Sequence, residues 1–399
     1  MFTLKRYREL FQVAEVPATL LASVPGRLPI GMAGLAILLF VQGKSGSFVH
    51  AGTAAALYVL GLALVAPVLG RLIDRLGPRP VLTACSIVYP AALVVLTASV
   101  TYGAGRAWIA ASAVVAGAAL PPITICVRAL FPRVLRDAAL LQTAYSVDSA
   151  LIESIFILGP ALVAGFVAAG YPEGAVLLAA LAAATGTATF LRAPAVKRWQ
   201  RRATAQPAGV LGPLRQHRML VVLAATTLYS LAFGLFEVAV TAYAAGRSAP
   251  WIAGVALALA SVGSATGAII YGSRAWRPPL GLQFRIALMC MAAGILLIAP
   301  VSNLYLFMVG SVVAGIPMAT VIAVQSLLIS RFSPRDMLAE SFTWGTTCLL
   351  GGVSAGIAIG GMMAEYLSPS WIFFGAGSAT LVAAAAAGVK SGDDGAERS

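Results

Sequence analysis

The chain has 399 residues, of which 60% are hydrophobic and only 10% charged, with a formal net charge of +13. So large an apolar share describes a protein whose solvent is mostly lipid and excludes an ordinary soluble domain. The basic residues are scattered over short loops beside apolar runs and form no continuous stripe, which argues against a nucleic-acid partner.

A bilayer core about 30 Å thick takes roughly 20 apolar residues of helix. Runs of that kind are read at 14–41, 51–70, 80–101, 107–130, 138–169, 173–191, 219–245, 251–272, 281–300, 303–329, 337–364 and 369–389. They are long, continuously apolar and rich in Ala, Leu and Gly, without the alternation of a barrel strand. The fold class is therefore an all-α polytopic membrane protein of about twelve transmembrane helices in two pseudo-symmetric six-helix bundles. The first run is too long for a cleavable signal peptide and carries Arg27, so it is read as span 1. With the N-terminus inside, 22 of the 27 Lys and Arg fall in cytoplasmic segments and only Lys44, Arg106 and Arg247 outside. The positive-inside rule then places both termini in the cytoplasm, in a multi-pass protein of the cell inner membrane.

In chain order, the first notable residue is Arg27, in the middle of span 1 among Pro25, Gly26 and Pro29. A charge there costs several kcal/mol unless paired or wetted. It reads either as a contact for an anion in a cavity or as a salt bridge to an acid of span 5. After span 2 comes GRLIDRLGPRPVL at 70–82, a charged turn punctuated by glycine, and a degraded copy, GSRAWRPPL, returns at 272–280. That recurrence marks an internal duplication. Arg128 lies near the cytoplasmic end of span 4, placed to snorkel toward headgroups or to join a conformational latch at that end. Span 5 carries Asp148 and Glu153, five residues apart. They point about 140° away from each other and cannot form a carboxylate dyad, so their roles must differ. Glu153 is favoured as the site of a coupling proton and Asp148 as the partner of Arg27.

Residues 192–218, basic and holding Pro194, Pro207 and Pro213, read as a cytoplasmic linker between bundles 1–191 and 219–390, with a disordered tail at 391–399. The stretches AGAALPPITICVRALFPRVLRDAALLQTAYS and AGIPMATVIAVQSLLISRFSPRDMLAESFTW echo each other across the halves, Gln142 answering to Glu340. Such duplication puts a substrate site between the halves near the bilayer midplane. Glu237, in the outer half of span 7 beside Phe233 and Phe236, reads as a contact for a cationic amphiphile or as an acid bonded to a neighbouring helix. Glu340 stands only a few residues into span 11, which favours an interfacial or latch role. The glycine pairs Gly351–Gly352 and Gly360–Gly361 read as close helix packing. Cys85, Cys126, Cys290 and Cys348 lie singly in apolar runs without metal-ligand spacing, so no metal and no cofactor is expected.

The spans, the basic central loop and the 70–79 turn resemble the major facilitator superfamily over essentially the whole chain. That family's signature turn, Gly-x-Leu-x-Asp-Arg-x-Gly-x-Arg, is met here by Gly70, Leu72, Asp74, Arg75, Gly77 and Arg79. The resemblance implies a conformational latch in which Gly70 allows close helix approach and Asp74 accepts from a helix N-terminus and from arginines. The second copy keeps Gly272, Arg274, Arg277 and Pro278 but has lost its acid, which implies a weaker latch. Span 5 shows part of the glycine-rich motif of proton antiporters in Gly159 and Pro160, with Ser146 and Ile155 at upstream glycine positions. The family's span-4 arginine is Ala113 here. Tyr58, Tyr145, Tyr229, Gln325 and Trp344 lie on spans that line the cavity in the family.

The leading functional reading is a proton-coupled secondary transporter, a monomer that exports a small organic or amphiphilic compound by alternating access. The chain holds no phosphate-cradling GxxxxGK[ST] motif. A second reading has the fold importing or exchanging an anionic metabolite held by Arg27. A membrane enzyme is disfavoured, because His50 and His217 fall in loops on opposite sides.

Overall fold

The computed structural model describes residues 5–199, 212–249, 251–334 and 336–387. The middle of the expected linker, 200–211, and the 391–399 tail lie outside the described residues. Among the described residues, 12 helices are long and apolar enough to cross a membrane. Spans 1 to 6 are Glu15–Ser45, Val49–Leu76, Pro78–Thr101, Arg106–Val134, Ala138–Ala168 and Pro172–Arg192. Spans 7 to 12 are His217–Ala245, Trp251–Gly272, Leu280–Ile298, Leu304–Phe332, Leu338–Tyr366 and Pro369–Ala386. The protein is thus an all-helical, multi-pass membrane protein.

Span 1 packs on spans 6, 5 and 2, and span 7 on spans 11 and 12. The two halves meet where span 2 lies on span 11 and where span 5 lies on spans 8 and 10. Glycine sets several of these approaches. A Cβ on Gly159 would strike the backbone of Gly31, so span 5 can run against span 1 only because both positions lack side chains. Span 5 passes through Pro160, and span 1 through Pro25 and Pro29, without a break in either helix. Span 4 does break, at Leu120, Pro121 and Pro122. There the consecutive prolines remove two N–H donors and force the preceding residue out of the helical region.

Two features differ from the sequence reading. Span 2 continues to Leu76, so Gly70, Arg71 and Asp74 stand on its last two turns instead of in a loop. Nothing between Pro67 and Gly77 breaks a helix, and Gly77, at φ +83°, is the residue that ends it. An additional helix, Lys5–Gln12, precedes span 1 and docks beside span 5 through Leu10, which is fully buried. The end of the molecule that carries this helix, the 70–79 motif and the starts of spans 5 and 11 is called the basic end below.

Candidate functional site

Asp148 is fully buried on span 5 and accepts from two arginines. Arg27 Nη1 lies 2.6 Å from its Oδ1 and Arg128 Nε 2.7 Å from its Oδ2. One carboxylate thus gathers spans 1, 4 and 5. Arg128 faces inward to this acid, and among the described residues no ion pair joins it to the 70–79 motif. The Tyr145 hydroxyl donates to the Arg128 carbonyl at 3.0 Å, while its ring packs on Phe131 and, across the halves, on Phe342. The cluster has more donors than acceptors, since Arg27 Nε and Nη2 are buried and find no acceptor among the described residues.

The second half builds its corresponding core without charge. Tyr229, at the same depth in span 7 as Arg27 in span 1, is fully buried and donates to Gln325 Oε1 on span 10. The Trp344 indole N–H on span 11 is buried without an acceptor among the described residues. Tyr58 lies within the first half, its hydroxyl 3.2 Å from that of Tyr89 on span 3.

Glu153 is half-buried at the seam between the halves, where Ser264 of span 8 donates to its Oε1 at 2.9 Å. The same serine oxygen accepts from the Ala319 N–H of span 10 at 2.9 Å. A single hydroxyl therefore links three spans through one acid. Glu237 is exposed on span 7. Its neighbour Phe236 turns inward onto Phe373, and Phe233 packs edge-on against Tyr229.

At the basic end the halves are joined by two seams. In the first, Asp74 accepts from the backbone N–H groups of Ala339 at 3.1 Å and Glu340 at 2.8 Å. These are orphan donors of the first turn of span 11, so Asp74 caps that helix from the other half. Arg71 forks onto Glu340, Nη2 to Oε1 at 2.6 Å and Nε to Oε2 at 3.3 Å. Gly70 permits the approach, because a Cβ there would collide with Thr343 and the Ala339 carbonyl. Arg75 and Arg79 are exposed beside it. In the second seam, Gln142 Nε2 donates to the carbonyls of Tyr271 at 2.8 Å and Arg274 at 2.9 Å, and Thr143 Oγ1 to that of Gly272 at 2.8 Å. Here the last carbonyls of span 8 are capped by neutral donors. Sequence reasoning passed over Arg71, Thr143 and Ser264. The first was counted only as a loop charge, and the other two are small hydroxyl residues that carry no motif.

A family model described as Major Facilitator Superfamily matches residues 19–301. The chain belongs to the major facilitator superfamily. It is 25% identical over 394 residues to an uncharacterized MFS-type transporter, y4rN, of Sinorhizobium fredii (strain NBRC 101917 / NGR234), covering 95% of this chain and 96% of that one. Among solved structures it resembles a bacterial homologue of the iron transporter ferroportin in an outward-facing state, with TM-score 0.77, 16% identity, and 93% and 98% of the two chains covered. It also resembles the proton:xylose symporter XylE bound to 6-bromo-6-deoxy-D-glucose, with TM-score 0.71, 13% identity, and 93% and 95% covered. At these identities the solved structures speak for the fold alone. This superfamily member is a secondary transporter and not an enzyme.

Proposed function

We propose that this transporter is proton-coupled and exports a small organic or amphiphilic compound from the cytoplasm by alternating access. It works as a monomer in the inner membrane, with bundles 1–191 and 219–390 rocking about the 192–218 linker. The observation that carries the reading is the contrast between the two acids of span 5. Asp148 is clamped by two guanidinium groups inside one half, an arrangement that keeps it ionised and structural. Glu153 is held by a hydroxyl, not by a cation, and that hydroxyl belongs to the other half. A proton taken up by Glu153 changes what binds the halves together, which is what coupling requires.

The distribution of basic residues supports cytoplasmic termini and therefore a basic end that faces the cytoplasm. With both seams made, the basic end is closed, which corresponds to an outward-facing state. Exposed Glu237, one helical turn from Phe233, suits a cationic amphiphile. In proteoliposomes screened with a panel of such cations, Glu153→Gln is expected to abolish accumulation driven by a pH gradient while leaving counterflow exchange. Gradient-driven accumulation that survives in this variant overturns the assignment.

One observation favours a second reading, uptake or exchange of an anionic metabolite. The two acceptor-less N–H groups of Arg27 give the buried cluster a surplus of donors and of positive charge. Thermal stabilisation of the purified protein by organic anions, lost in Arg128→Gln, would select that reading; stabilisation by cations, lost in Glu237→Gln, selects export.

A further inference from the structure

The helix Lys5–Gln12 takes no part in the account so far, yet it belongs to the first half and touches the second. The Tyr7 hydroxyl donates to the Ile269 carbonyl in the last turn of span 8, at 2.5 Å. It also sits over Gly272, where a Cβ would come within 2.8 Å of the phenol oxygen. Gln142 and Thr143 cap the neighbouring carbonyls of the same turn, so Tyr7 adds a third neutral donor to one seam. Burial pushes the Tyr7 phenol up to about 12. The neutral form is thus favoured, and the contact persists below the ordinary phenol value of 10.0, weakening only as pH rises toward 12.

The opposite face of this helix is exposed. Lys5, with a side chain 82% exposed, pairs loosely with Glu9 one turn on at 3.9 Å, Arg8 is exposed, and Phe11 stands 46% exposed beside them. Basic residues next to an exposed aromatic, on a helix lying at the end of a transmembrane bundle, match the chemistry of anionic headgroups over an acyl boundary. We propose that this helix is a lipid-anchored strap, binding anionic phospholipid through Lys5, Arg8 and Phe11 while Tyr7 holds span 8, so that anionic lipid keeps the basic end closed. The placement in the cytoplasmic leaflet rests on the orientation argued above.

The test uses the full chain in nanodiscs, with spin labels at Arg136 and Ala275 reporting the distance across the span 5 and span 8 seam and the four native cysteines replaced by serine. In the parent protein, adding phosphatidylglycerol to phosphatidylcholine should raise the ratio of short to long distances several-fold. Lys5→Gln with Arg8→Gln should abolish that response while keeping the distribution seen in phosphatidylcholine alone. Tyr7→Phe should lower the short-distance fraction in both lipids and no longer respond. A lipid response that survives Lys5→Gln with Arg8→Gln, or a Tyr7→Phe distribution identical to the parent's, overturns the proposal. Because distance and not flux is read, failure of the proton-coupling assignment leaves these outcomes unchanged.

Discussion

The two seams that close the basic end do the same mechanical job with different chemistry. Between spans 2 and 11 the contacts are ionic: a carboxylate caps a helix N-terminus and an arginine forks onto Glu340. Between spans 5 and 8 they are neutral: an amide and hydroxyls cap a helix C-terminus. Each chemistry suits the pole it meets, since the positive end of a helix dipole attracts an anion, while carbonyls need only donors. The loss of the acid from the second copy of the motif therefore does not leave that seam without hydrogen bonds; the donors come from span 5 instead. One seam is sensitive to charge-changing substitutions. The other is insulated from them.

The largest effect should separate charge that holds a bundle from charge that gates it. Asp148→Asn leaves a buried and a partly buried arginine facing a neutral amide and should cost roughly 3–5 kcal/mol of stability, read as a large drop in the thermal transition of the purified protein. Seam variants should leave that transition nearly in place and move the conformational equilibrium instead. Asp74→Ala removes the cap on span 11 and should favour opening by about 1–2 kcal/mol, roughly a tenfold change in the ratio of distances across spans 2 and 11. Gln142→Leu strands the Arg274 carbonyl, while that of Tyr271 keeps the Trp276 indole N–H at 3.0 Å, and should favour opening by about 1 kcal/mol. The smallest effect is that of salt: it should loosen the parent's ionic seam a little, because the Arg71–Glu340 pair is largely buried, and leave the neutral one unmoved. Equal salt responses at both seams would erase the distinction.

Much of the architecture was legible because lipid imposes one strong rule. A span must be long, apolar and helical, so twelve runs with Lys and Arg between them already define the fold. The motif residues Gly70, Asp74 and Gly77 could be named from their spacing, but spacing does not reveal whether a charged stretch is loop or helix. Arg71 was consequently read as a loop charge, although one more helical turn aims it at Glu340. Arg27, Asp148 and Arg128 could each be picked out as charges in apolar surroundings. Their meeting depends on how three spans pack, which no local pattern encodes. Ser264 and Thr143 were silent for a simpler reason, since small hydroxyl residues are common in membrane helices and most of them bond only to their own backbone.

The central claim is that Glu153 is the protonatable link between the halves. Its most direct test is the pH dependence of the distance across spans 5 and 8, measured by paired spin labels in nanodiscs without substrate. The parent protein should shift toward the open basic end as pH falls, whereas Glu153→Gln, which mimics the protonated acid, should sit at the shifted position at every pH. A Glu153→Gln protein that still moves with pH as the parent does would contradict the account and send the coupling proton to another group.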